Sequence, residues 1–240
     1  MILECRICSN CQSDQLVLNG KNASGQQRYR CKSCGVTRVL DSVQKSKQVN
    51  IEQVAQTYQE RNSFRSTARI FKVSHVTIQK WLKKKARSLA NFKTSILPAS
   101  PETILEVDEV FSFILLKINQ IRIWIAQCRQ TRQIISFFIG DGSRESCKRL
   151  WRKLPYPYLR CKSFSDFWKS YNAIAGSTHQ KVGKQTGETA HIERLNNTIR
   201  QRFSRLVRKT LSFSKKAYML NLHFKLWAYE YNLQIKLNQL

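Results

Sequence analysis

The alternation of apolar and polar positions divides the chain into distinct stretches. In residues 1–45 large aliphatics are few, and "QLVLNG" and "QRYRC" read as two short strands. In residues 46–88 the period is helical. Ile51, Val54, Ala55 and Tyr58 recur at i, i+3, i+4 and i+7, with Asn50 ahead of them as an N-cap. The next run, "FRSTARIFKVSHVTIQKWLKKKA", places Ala68 and Phe71 on the inner face of a short helix. A turn follows at Lys72 and Val73. Ser74 then caps a second helix with Ile78, Trp81 and Leu82 inward, the pattern of a helix-turn-helix. Residues 89–102, with Pro98 and Pro101 as breakers, read as a linker.

From residue 103 to 240 the pattern is strand-rich, then helical. Ile104 to Leu116 reads as a strand whose even-numbered residues share a face, so Glu106 and Asp108 point one way and Glu109 the other. "IRIWIAQC" and "QIISFFIG" continue an antiparallel meander, and "SRESCKRLWRKL" is a helix capped by Ser143. "LRCKSF" is a fourth strand with Asp166 at its C-terminal end, and "HQKVG" a fifth. A helix then carries Ile192, Leu195, Ile199, Phe203 and Leu206 as its buried stripe, with Glu193 at the border. The predicted order is strand, strand, strand, helix, strand, helix, strand, helix. Together these stretches predict a multidomain α+β and α/β protein. A small cysteine module comes first, a helical module second, and a mixed five-stranded sheet with flanking helices last.

Charge changes the picture. The 240 residues hold 42 Lys plus Arg against 15 Asp plus Glu, a net charge of +27. Such self-repulsion calls for a polyanionic partner. The basic residues run along the whole chain and no lipid-facing segment or bilayer-length apolar run stands out, so the partner is nucleic acid and not membrane. The start "MILECRIC" lacks the apolar region of a signal peptide, which predicts a reducing, cytoplasmic setting. The eight cysteines then read as thiols or metal ligands.

Cys8 and Cys11 form one CxxC, and Cys31 and Cys34 another. Two intervening residues let both sulfurs of a pair reach one tetrahedral Zn²⁺, and Gly35 suits the turn after the second pair. One structural zinc would staple a module too poor in apolar residues to fold alone. Ordinary reduced cysteines are the other reading. Cys5 also makes a CxxC with Cys8 and is left as a spare, while Cys128, Cys147 and Cys161 sit in apolar contexts as core thiols. On the free face of the second helix lie His75, Gln79, Lys80 and Lys83, with Lys84, Lys85 and Arg87 beyond. Hydrogen-bonding groups lead and cations trail, as needed to read base edges and hold phosphates. The alternative is a three-helix packing unit with a solvated lysine run.

A carboxylate inside an apolar run is costly unless a cation meets it. The order of elements would bring Asp108, Asp166 and Glu193 together. Hard oxygen ligands of that kind suit Mg²⁺ or Mn²⁺, and two ions about 3.5–4 Å apart can clamp both oxygens of a phosphodiester in displacement. Spacing alone fits three separate surface acids equally. Asn196, Asn197 and Arg200 follow on the face of Glu193, where they could position a scissile phosphate. Arg202, Arg205, Arg208 and Lys209 extend the basic track. His179 and His191 read as structural or phosphate-contacting groups.

The blocks "CSNC", "NGKNASGQQRYRCKSCG", "STARIFKVSHVTI", "VDEVFSF", "SDFWKSY" and "HIERLNNTIRQRFSRLVRKTLSFSK" stand along the chain. Together they resemble the insertion-sequence-one family of transposases. The resemblance covers nearly the whole chain. It implies an RNase H-like catalytic domain of the DDE type with divalent metal, cutting and rejoining DNA at element ends in a prokaryotic, nucleoid-associated setting. Carried over, Asp108, Asp166 and Glu193 match the acidic triad, and Cys8, Cys11, Cys31 and Cys34 the zinc knuckles. The helix-turn-helix matches the end-binding module, and Arg208 and Lys209 match a DNA-contacting block. Joining two ends implies a homo-oligomer on inverted-repeat ends and target DNA. The chain departs at Cys128, where many members carry an Asp. The alternatives are a non-enzymatic zinc and helix-turn-helix DNA-binding regulator, and a nuclease that cuts without joining.

Overall fold

The computed structural model describes residues 7–39, 49–60, 63–89, 91–174, 178–206 and 213–238. The chain forms two compact units, residues 1–50 and 51–240.

The first unit is a three-stranded antiparallel sheet of β1 (Leu16–Lys21), β2 (Gln27–Cys31) and β3 (Thr37–Arg38). The first two strands match the pattern, and β3 adds a short third. Each CxxC ends in the same way. Gln12 follows Cys11 at φ 57° and Gly35 follows Cys34 at φ 70°. Their N–H groups donate to the carbonyls of Cys8 (2.8 Å) and Cys31 (2.9 Å), closing each knuckle. The turn expected at Gly35 is present, and its counterpart falls on a glutamine.

The second unit begins with α1 (Ile51–Gln59), α2 (Phe64–Phe71) and α3 (His75–Ser88). Lys72 breaks α2 from α3 in the left-handed region at φ 53°, and Ser74 accepts the Thr77 N–H at 3.1 Å to cap α3. Ile78 and Leu82 are buried as expected, and so is Lys85, at 8% exposure. Lys85 Nζ pairs with Glu52 of α1 and, at 3.0 Å, with Glu230. The sequence pattern places Lys85 just beyond the free face, among its trailing cations. It is instead an internal cation, because it continues the inner stripe.

A mixed sheet follows, built from β4 (Ile104–Ile114), β5 (Leu116–Cys128), β6 (Ile134–Gly140), β7 (Lys162–Ser165) and β8 (His179–Lys181), in the order β6-β5-β4-β7-β8. The β4–β5 and β5–β6 pairs are antiparallel; β4–β7 and β7–β8 are parallel. Helix α4 (Arg144–Arg152), capped by Ser143, packs on one face with Leu105, Val107, Trp124 and Ala126. Helices α5 (Ala190–Arg202) and α6 (Ala217–Asn238) cover the other, against Val110, Ile121, Ile123 and Ile125.

Four details differ from the pattern. The second strand begins at Leu116, straight after a one-residue turn at Leu115 with φ 62°. Between β7 and β8 the described chain forms a short 3₁₀ turn, Lys169–Ala173, in place of an α-helix. Helix α5 stops at Arg202, so Phe203 is its C-cap and Leu206 lies in the next 3₁₀ turn, both still buried. The fourth is α6, 22 residues long and absent from the expected order. Residues 89–102 do not run free: Phe92 meets Phe137 edge-on at 5.4 Å, and the buried Gln133 amide donates to Ser95 O at 3.0 Å. Among the described residues no helix is long and apolar enough to cross a membrane.

Candidate active site

Strand β7 pairs with β4 only over Ile104 to Glu106. Beyond that point the edge of β4 facing β7 is open, and a cavity of about 310 Å³ lies there. Asp108 reaches it from β4, Asp166 from the end of β7, and Glu193 from the first turn of α5. The three acids that the sequence set far apart therefore line one space, with Asn196, Asn197 and Arg200 beside them.

Asn196 Nδ2 donates to Asp108 Oδ2 at 2.6 Å. Burial is the main cause that pushes Asp108 up to about 6; the negative charges of Asp166 and Glu193 add to it, against the relief from the Glu109 N–H and Asn196. Asp166 is oriented by the Trp168 N–H, 2.9 Å from Oδ1. The sequence reading missed Glu109, Lys184 and Thr189, which also line the cavity. Glu109 does point to the opposite face, as the period required. There it accepts the Tyr171 hydroxyl at 2.7 Å and faces Arg122 at 3.5 Å. Because the β4 edge is open, it still borders the cavity. Burial raises it to about 7. Its adjacency to Asp108 in a cation-rich chain was the available signal.

Glu106 is fully buried. The cation that meets it is Arg129, whose Nε lies 2.8 Å from Oε1. His179 and His191 differ in setting. His179 lies between the hydroxyls of Ser163 (2.9 Å) and Ser165 (3.1 Å), and burial lowers it to about 4. His191 donates its backbone N–H to Glu106. Cys128 is buried with Leu105, Tyr158 and Cys161 on the α4 side, so the departure at this position lies in the core and not on the cavity wall.

On α3, His75, Lys80, Lys84 and Arg87 are exposed, and Gln79 and Lys83 half-buried. Arg202 is exposed, whereas Arg205 lies over the Phe64 ring at 5.2 Å, turned toward α2. Arg208, Lys209 and Cys5 lie outside the described residues.

In the first unit the sulfurs of Cys8, Cys11, Cys31 and Cys34 all lie within 4.8 Å of one another. Cys8–Cys34 and Cys11–Cys31 are each separated by 3.6 Å. Four sulfurs about 2.3 Å from a tetrahedral zinc stand about 3.8 Å apart, so the set fits one structural Zn²⁺. Backbone N–H groups, Cys34 first, hold the Cys31 thiol down at about 6, while the neighbouring sulfurs push Cys11 up to about 12; a bound metal would draw all four to the thiolate.

Residues 103–234 match the IS1 transposase family, and residues 7–35 match the zinc ribbon described as the InsA N-terminal domain. The insertion element iso-IS1n protein InsB of Shigella dysenteriae is 35% identical over 112 residues, 47% of this chain and 83% of that protein. The insertion element IS1 4 protein InsB of Escherichia coli (strain K12) is 29% identical over 130 residues, 54% of this chain and 74% of that protein. The chain belongs to the IS1 transposase family.

Proposed function

We propose that the chain is a metal-dependent DNA transposase that binds inverted-repeat ends, cuts one strand and joins the freed end to target DNA. The observation that carries this is the convergence of Asp108, Asp166 and Glu193, from β4, β7 and α5, on one cavity shared with Asn197 and Arg200. The sheet order, with its antiparallel second strand and parallel fourth and fifth, supports an RNase H-like reading. Asp108, held high by burial beside two other acids, suits a site that completes itself with cations.

Asp108, Asp166 and Glu193 would hold two Mg²⁺ or Mn²⁺ ions. Bound there, the ions supply charge neutralisation at the phosphate and a more acidic attacking hydroxyl. The chain's own groups do the rest. Asn196 fixes the Asp108 carboxylate. Arg200, Asn197 and Lys184 bind the non-bridging phosphate oxygens, so the reacting groups meet already oriented. In the first step the oxygen of water bonds to phosphorus and the 3′ oxygen leaves with a proton. In the second, that 3′-hydroxyl loses its proton and its oxygen bonds to a target phosphorus, while the 3′ oxygen of the target strand departs and takes up a proton. Both are in-line displacements.

Helices α2 and α3 serve as the helix-turn-helix, with His75, Gln79, Lys80, Lys83 and Lys84 toward the duplex. Arg208 and Lys209 extend the contact, and the zinc ribbon adds a second grip. Joining two ends needs at least two copies on DNA.

The test is strand transfer of a pre-cleaved end with Mg²⁺. Asp108→Ala, Asp166→Ala and Glu193→Ala should each lower the rate by at least about 10²-fold while end binding persists. Equal activity or equal inactivity across the set, wild type included, would favour a DNA-binding regulator. Cutting without joining would favour a nuclease.

A further inference from the structure

Two residues before Asp108 on β4, Glu106 has no exposure to solvent, yet it is fully engaged. Its Oε1 accepts Arg129 Nε at 2.8 Å, and its Oε2 accepts the backbone N–H groups of His191 and Ile192, each at 3.0 Å. Those amides belong to the first turn of α5, where the N-cap residue Thr189 supplies no side-chain cap. The helix is therefore capped from another element, by a carboxylate on the strand that carries Asp108. A negative charge there also complements the partial positive charge of the helix start.

Arg129, just past the end of β5, extends the connection. Its Nη2 donates to the Glu188 carbonyl at 2.7 Å and pairs with the Glu188 carboxylate at 2.6 Å. Its guanidinium lies over the Phe164 ring of β7, 5.1 Å from the centroid. One ion pair thus touches β4, β7 and the entry to α5, the elements that carry Asp108, Asp166 and Glu193.

Apolar residues could hold this helix against the sheet as firmly as a buried ion pair. They could not fix its height and rotation, which directional bonds to two named amides do. We infer that Glu106 and Arg129 are positioning residues of the proposed active site, setting the first turn of α5, and hence Glu193, relative to Asp108 and Asp166. The inference rests on the carboxylate site proposed above; neither residue needs to touch DNA or metal.

Glu106→Gln keeps the shape and removes the charge. The expected result is faster hydrogen exchange at the His191 and Ile192 amides with a cooperative melt retained. Strand transfer at saturating DNA should fall about 10²-fold, the scale of a small misplacement at a reacting centre. The Mg²⁺ midpoint should rise, with end affinity unchanged within about a factor of two. Arg129→Lys, which keeps a charge but loses the fork that reaches Glu188, should give a loss of about tenfold.

Loosened amides with wild-type transfer and an unmoved Mg²⁺ midpoint would overturn the inference, as would a loss explained wholly by weaker DNA binding. If Glu106→Gln does not fold, a folded Arg129→Lys with wild-type transfer overturns it. An inactive wild type defeats the transposase reading separately. Calorimetric Mn²⁺ affinity then still decides on positioning: about tenfold weaker binding in Glu106→Gln is expected, and equal affinity rejects it.

Discussion

Asp108 sets stability against the chemistry proposed for it. Its folded pKa, about 6, lies above its ordinary value of 3.8. An acid raised in this way binds its proton more tightly folded than unfolded. The metal-free protein therefore gains stability as pH falls from about 6 toward 4, and loses it again as pH rises back through 6. At pH 7 the charged group costs about 2–3 kcal/mol. Asp108→Asn should recover about 2 kcal/mol in metal-free urea unfolding at pH 7 and almost nothing near pH 4, while abolishing strand transfer. A variant less stable than wild type at pH 7 would contradict this account of the site. Glu109, held at about 7 and lining the same cavity, is a second acid whose proton would compete with cations at the proposed site. Divalent affinity should thus fall steeply below neutral pH, measurable by calorimetry across pH 5.5–8 in steps of about half a unit.

At the level of elements, helix caps make sharp predictions. Ser74→Ala removes the acceptor for the Thr77 N–H and should cost about 1 kcal/mol in chemical unfolding. No change would mean that α3 is held by packing alone. Such caps are legible in the sequence: Ser74 and Ser143 cap as read, and the first strand keeps its alternating faces and its start at Ile104, though it ends at Ile114 and not Leu116. Local signals carry that information. Other features were not legible, for physical reasons. Helix α6 buries residues around much of its circumference, among them Met219, Leu220, Phe224, Leu226, Trp227 and Ala228, so it shows no single stripe. The cap of α5 comes from Glu106, more than 80 residues upstream, and no local rule predicts a cap from another strand. Glu109 depends on where β7 leaves the ladder, which is a tertiary fact. Lys85, in contrast, was readable. Ile78, Leu82, Lys85 and Ala86 follow i, i+4, i+7 and i+8, and the period outranked the charge.

For the whole molecule, the two compact units respond to different agents. Within the described residues 7–39 only Cys8 and Cys31 are buried, so these residues form no apolar core of their own. Stripping zinc should unfold it and expose its thiols to alkylation. All five tryptophans lie in residues 51–240, so the melt followed by tryptophan emission should not move. A coupled shift in that melt would contradict a zinc effect confined to residues 1–50. The net charge of +27 predicts end binding that weakens steeply with salt. Lys80→Ala and Lys84→Ala should each lower the magnitude of the log–log salt slope by about 1.

Lys85 has one more effect, through its grip on α1 and α6 at once. Helix α3 is not a hook on a tether; it is bolted to the body that carries the carboxylates. If it grips a duplex as proposed, the protein acts as a ruler, and the scissile bond sits a set number of base pairs from the sequence it reads. End substrates with one or two base pairs inserted between those points should then bind normally and go uncut.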